Sequence, residues 1–186
     1  MEQRLQYILS QVNDWLKFAE AKNAALVAAS IATIIGLLQA NIKPDPPPNS
    51  FQIIHSFKFF YLNSLPWLLG CSGLISLISF LPKTTIPFIT SKAGKKDTDN
   101  LLFFGDIAKY DTDDYTKALQ KSWQTTPSSI GDESKHLSEQ IVVNSGIAVW
   151  KYSCFKLALW FAIAAAATPI AAIIIYIAFK TTPRLR

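Results

Sequence analysis

Three stretches of the chain carry no charged residue: Asn23 to Ile42, Phe59 to Pro82 and Leu157 to Phe179. A helix rises about 1.5 Å per residue, so roughly 20 residues cross the hydrocarbon core of a bilayer. All three stretches reach that length and predict membrane-spanning helices. Polar and apolar positions alternate differently before the first of them. Leu5, Ile8, Leu9, Val12, Trp15, Leu16 and Ala19 fall at the 3-then-4 spacing of one helical face. No Gly or Pro interrupts this amphipathic helix, so it is expected to run straight into the first span.

The remaining pattern predicts loops and two more helices. NIKPDPPPNS is a loop by its prolines, which lack a backbone donor and block helix. FQIIHSFK reads as an interfacial lead-in to the second span. LPKTTIPFITSKAGKKDTDN reads as a linker along the inner membrane face, with Lys92, Lys95 and Lys96 placed to attract anionic lipid. A helix is expected to open near Asp111, because Asp111 to Asp114 supply capping and first-turn acidic residues. Tyr115, Leu119 and Trp123 then repeat at i, i+4. After the loop TTPSSIGD, a helix from about Asp132 to Lys156 carries Leu137, Ile141, Ser145, Ala148 and Tyr152 on one face and continues into the third span.

The expected fold is therefore an all-α membrane protein with about three transmembrane helices, two of them extended into a cytosolic helical stalk with residues 92–131 draped on it. The expected order is a cytosolic amphipathic helix over 1–22, a span over 23–42 and an external Pro-rich loop over 43–58. A span over 59–82, a cytosolic sensing segment over 83–156, a span over 157–179 and a tail over 180–186 follow.

Composition agrees. Half of the residues are hydrophobic and 17% are charged, against about 25% in ordinary soluble domains. Of the 18 basic residues, three precede the first span and ten lie between the second and third. The positive-inside rule then puts the N-terminus and residues 83–156 in the cytoplasm. The first apolar run begins at Ala24, after Glu2, Asp14 and Glu20, which reads as a retained anchor rather than a cleaved signal peptide.

The catalytic chemistry is sparse. There is no glycine-rich phosphate loop, no HExxH and no GxSxG. Cys71 and Cys154 have no His or Cys at metal spacing and are expected to pack as small apolar groups. His55 and His136 fall on connections assigned to opposite membrane faces. No acid stands inside a span, so a proton relay lacks its parts. Two segments have specific character. In LLFFGDIAKY, Phe103 and Phe104 precede Gly105 and Asp106: a ring can stack on a nucleobase and a carboxylate can bond a ribose hydroxyl or a base amino group. The plainer account is that the rings pack on the stalk, Gly105 turns the chain and Asp106 caps a short helix beginning at Ile107. In LSEQIVVNSGIAVWKY, Gln140, Asn144, Lys151 and Tyr152 either face a cavity or are stalk-packing and solvated. Lys151 and Lys156 are also placed to snorkel to lipid phosphates.

These same segments resemble the transmembrane effectors of Pycsar, the bacterial anti-phage system that signals with cyclic pyrimidine nucleotides. NDWLKFAEAKNAALVAAS carries Glu20, Lys22 and small residues into the first span, with Asn23 where the family more often has a small residue. LLFFGDIAKY followed by an acidic turn and Tyr115 is the second match. LSEQIVVNSGIAVWKY is the third, with Leu137, Gln140, Ile141, Ser145, Ile147, Lys151 and Tyr152 at the family's positions. The resemblance implies a membrane effector, not an enzyme, activated by cyclic CMP or cyclic UMP from a partner cyclase. It implies damage to the inner membrane and abortive infection. The expected partners are the bilayer, the nucleotide and further copies of the chain, with no nucleic acid and no metal or other cofactor. The expected ligand-binding residues are Phe104, Asp106, Lys109, Gln140, Asn144 and Lys151. A membrane scaffold whose cytosolic segment binds a protein partner, and a small membrane enzyme, are the alternatives.

Overall fold

The computed structural model describes residues 1–40, 52–82, 94–124 and 131–181, with 52–60, 171–173 and 175–181 described by backbone alone. The Pro-rich loop, the linker residues 83–93 and most of TTPSSIGD lie outside the described residues. Among the described residues five helices follow one another: α1 Glu2–Gln39, α2 Gln52–Ile78, α3 Phe104–Ile107, α4 Thr112–Trp123 and α5 Asp132–Thr181. Among the described residues there is no strand. The amphipathic N-terminal segment and the first apolar stretch form one unbroken helix, as do the 132–156 segment and the last apolar stretch.

The chain divides into two compact units, Met1–Asn23 with Ser79–Cys154, and Ala24–Ile78 with Phe155–Arg186. The first unit is built as a soluble body. Leu5, Ile8 and Val12 of α1, Ile107 at the end of α3, Tyr115 and Leu119 of α4, and Ile141 and Ala148 of α5 form its buried core. Burying each of the larger side chains is worth about 1.5–3 kcal/mol. Leu9, Leu16 and Leu137 pack partly buried against this core. Trp15 is 42% exposed, yet its ring lies 5.7 Å from that of Phe104. Asp111 caps α4 by accepting from the Asp114 N–H at 2.8 Å. The helix ends at Gln124, whose N–H donates to the Gln120 carbonyl and whose left-handed backbone turns the chain out of the helix.

The second unit turns its large apolar side chains outward. Ile35, Trp67, Leu74, Trp160 and Ile170 are all exposed. Among the described residues three helices, α1, α2 and α5, are long and apolar enough to cross a membrane. An outward apolar surface on such helices is what a hydrocarbon solvent requires, and the chain is a membrane protein. α2 buries a face of Leu65, Leu69, Ser72 and Ser76, so two of its serines point at protein. Ser72 donates to the Ala158 carbonyl at 2.9 Å. Pro169 lies inside α5 and has no N–H to give the carbonyl four residues earlier. That carbonyl, Ala165, instead accepts the Tyr61 hydroxyl at 3.1 Å.

Candidate ligand site

In the first unit the turn from Lys96 to Tyr110 is densely bonded. Asn100 N–H donates to one oxygen of Asp106 at 3.0 Å, and Lys109 Nζ donates to the other at 2.6 Å. The same ammonium reaches Asp99 at 2.9 Å. Asp99 also accepts from the Lys96 N–H at 2.9 Å and from the Tyr110 hydroxyl at 3.3 Å. The bond from Lys109, then that from the Lys96 backbone, holds the Asp99 carboxyl below its ordinary range. The two carboxylates, Asp106 first, raise the Lys109 ammonium. Lys95 pairs with Asp114 and Asp111 at the start of α4. Tyr115, fully buried, donates to the Leu101 carbonyl at 2.9 Å and ties the turn to α4.

Two local readings change here. α3 begins at Phe104, with Phe103 at its cap position and no side-chain cap. Asp106 therefore sits inside the helix and closes the turn through Asn100 instead of capping a helix at Ile107. Gly105 does not have a positive φ; its freedom is steric. A Cβ there would stand 2.5 Å from the Phe103 ring, which packs over it.

Of the six residues expected to bind a ligand, Asp106 and Lys109 bond one another in the turn. Phe104 is buried, stacked 5.2 Å from Tyr152 and close to Trp15. Gln140 is exposed on α5. Asn144 donates to Asn13 Oδ1 at 2.9 Å, linking α5 to α1. Lys151 is buried: its ammonium meets Glu20 and the Ser79 carbonyl, each at 3.0 Å. It is thus turned into protein and does not snorkel to lipid. Asn23, also fully buried, donates to the Lys151 carbonyl at 3.1 Å.

A cleft of about 540 Å³ opens beside the turn, between residues 96–102 and the last turns of α4. Lys96, Asp97, Asn100, Lys121, Ser122 and Trp123 line it, over a floor that includes Tyr110 and Leu119. Its volume is in the range of small-molecule sites, about 300–1,000 Å³. The sequence pattern marks Lys96 as a membrane-face cation, Tyr110 as the end of LLFFGDIAKY, and Leu119 and Trp123 as packing positions. It does not bring these residues together.

A soluble helical body whose first and last helices also supply long apolar segments defines a multi-pass membrane protein. The chain belongs to the family described as PycTM, Pycsar effector protein domain, whose model matches residues 4–178. It is 33% identical over 153 residues to the Pycsar effector protein RsPycTM of a Rhizobium species, with 77% of each chain covered. No solved structure matches. The family makes the protein an anti-phage membrane effector.

Proposed function

We propose that the first unit senses a cyclic pyrimidine nucleotide, cyclic CMP or cyclic UMP, released by a partner cyclase on infection. Binding makes the membrane helices rearrange or assemble with those of further copies, breaching the inner membrane and ending phage replication with the cell. The protein performs no catalysis in this scheme. The lysine distribution supports a cytoplasmic N-terminus and a cytoplasmic 83–156 segment, where the nucleotide is made.

The observation that carries this reading, beside the family, is the double use of α1 and α5. Leu5, Ile8 and Val12 on α1 and Ile141 and Ala148 on α5 make the core of the first unit, and the same two helices go on as candidate spans. A ligand drives such a change only by binding the active arrangement better than the resting one. Shifting the populations from about 1:99 to 99:1 takes a preference of about 10⁴-fold. The test is dye release from vesicles carrying the purified protein. Cyclic CMP or cyclic UMP is expected to trigger release where cyclic AMP does not. Silence with every cyclic nucleotide, from protein that inserts normally, would refute the reading.

A further inference from the structure

We infer that the cleft between the 96–102 turn and the end of α4 is the ligand site, and that it takes a small monoanion bearing one flat heterocycle. The inference rests on the functional reading above and locates its sensor. Charge is the first argument. Lys96, Asp97, Asp99 and Lys121 line the cleft. Asp99 shares the Lys109 ammonium with Asp106, so the cleft and the turn behind it balance, three ammonium groups against three carboxylates. What the cleft offers an anion is two exposed ammonium groups, Lys96 and Lys121.

The second argument is availability. Lys121 meets Asp97 only at 3.8 Å, and both side chains are essentially fully exposed. A pair of that kind contributes little, so an incoming oxyanion can take Asp97's place at Lys121. Among the described residues, no carboxylate pairs with the Lys96 ammonium. The displaced Asp97 becomes an acceptor for an amino or hydroxyl group of the ligand. The third is shape. Trp123 lines the cleft with an indole that carries the Arg4 guanidinium over its ring at 5.4 Å, and a heterocyclic base would stack on the opposite face. Asn100 and Ser122 add hydrogen-bonding edges. By contrast, Asn144 and Lys151 are each committed to partners on α1.

The experiment is calorimetry on the full chain in nanodiscs, titrated with cyclic CMP, cyclic UMP and inorganic phosphate. Wild type is expected to bind one of the nucleotides and to bind phosphate far more weakly. Lys96→Met and Lys121→Met are each expected to lower nucleotide affinity tenfold or more with an unchanged unfolding temperature, since both residues are exposed. Trp123→Leu is expected to abolish the fluorescence change on binding. If wild type binds a nucleotide and both lysine variants bind it equally well, the cleft is not the site. Loss of binding in Gln140→Ala or Asn144→Ala, with the lysine variants unaffected, places it on α5 instead. If wild type binds no cyclic nucleotide, the functional reading falls along with the site.

Discussion

The amide of Asn23 donates to the backbone carbonyl of Lys151, 128 residues away, at 3.1 Å. It also donates to the Ala19 carbonyl of its own helix at 2.9 Å. α1 and α5 are therefore tied at one level by two kinds of bond: this amide and the Glu20–Lys151 ion pair. The pair is lopsided, with Lys151's side chain 10% exposed and Glu20's 44%. Removing the better-buried charge leaves a carboxylate that water can reach. Removing the carboxylate strands an ammonium on the Ser79 carbonyl. Glu20→Ala is thus expected to destabilise by about 1–3 kcal/mol and Lys151→Met by less, read from thermal unfolding in detergent.

The first-unit core predicts a sharper contrast along α1. Ile8 and Val12 are buried, whereas Gln11 points away and bonds Tyr7. Ile8→Ala is expected to cost about 2–5 kcal/mol; Gln11→Ala is expected to fall within about 0.5 kcal/mol of wild type. Denaturant or thermal unfolding monitored by the protein's tryptophans measures both.

Gln124 holds the left-handed conformation at the end of α4, which costs a residue with a Cβ about 1–2 kcal/mol and costs glycine almost nothing. Gln124→Gly is expected to raise stability by about 0.5–1 kcal/mol, net of the glycine's extra freedom when unfolded. An unfolding temperature at or below that of wild type would contradict this.

The turn around Asp99 gives a pH dependence with a definite sign. Asp99 and Asp111 are both held below their ordinary value of 3.8. Their contribution is fully present above that value and disappears as pH falls through the lowered one. Lys109 is raised from 10.5, so its contribution is complete below that value and is lost only in stronger base. Hydrogen exchange over residues 96–115, corrected for its intrinsic pH dependence, is expected to report constant protection across roughly pH 5–9. Protection should fall in acid, below about pH 4.

Much of the helical plan is legible in residue spacing, since the uncharged stretches, the 3-then-4 repeat of α1 and the i, i+4 repeat of α4 rest on local rules. Partnerships across the chain are not. Lys151 reads as a snorkelling or ligand-binding lysine until Glu20 and Ser79, far away in sequence, are seen around it. Ser72 and Ser76 look like weaknesses in an apolar stretch, yet they are the small side chains that let α2 pack closely. Asp106 invites reading as a cap, because helix starts favour aspartate; its contact with Asn100 depends on a fold-back that no periodicity records. The cleft beside α4 escapes a reading of the sequence for the same reason: Lys96 and Lys121 approach it from segments that share no spacing.

The Tyr61 hydroxyl and the Ala165 carbonyl make a bond whose need arises from Pro169. Tyr61→Phe is expected to cost about 0.6–1.7 kcal/mol, as interhelical bonds in membranes do. Pro169→Ala restores an N–H to the carbonyl, so the Tyr61→Phe penalty should shrink in the double variant. Equal penalties in both backgrounds would show that the hydroxyl does not serve the proline's carbonyl. Steric-trap unfolding in bilayers or bicelles can measure the cycle.

That bond also has a clock. Donor and acceptor are 104 residues apart, and a ribosome adds about 5–20 residues per second. Tyr61 is therefore made roughly 5–20 seconds before Ala165 exists. During that interval α2 must sit in or beside the membrane with the hydroxyl satisfied by water, lipid headgroup or its own backbone. α5 then arrives with a carbonyl that its own proline has left open, and the two can lock together only once that part of α5 has been made.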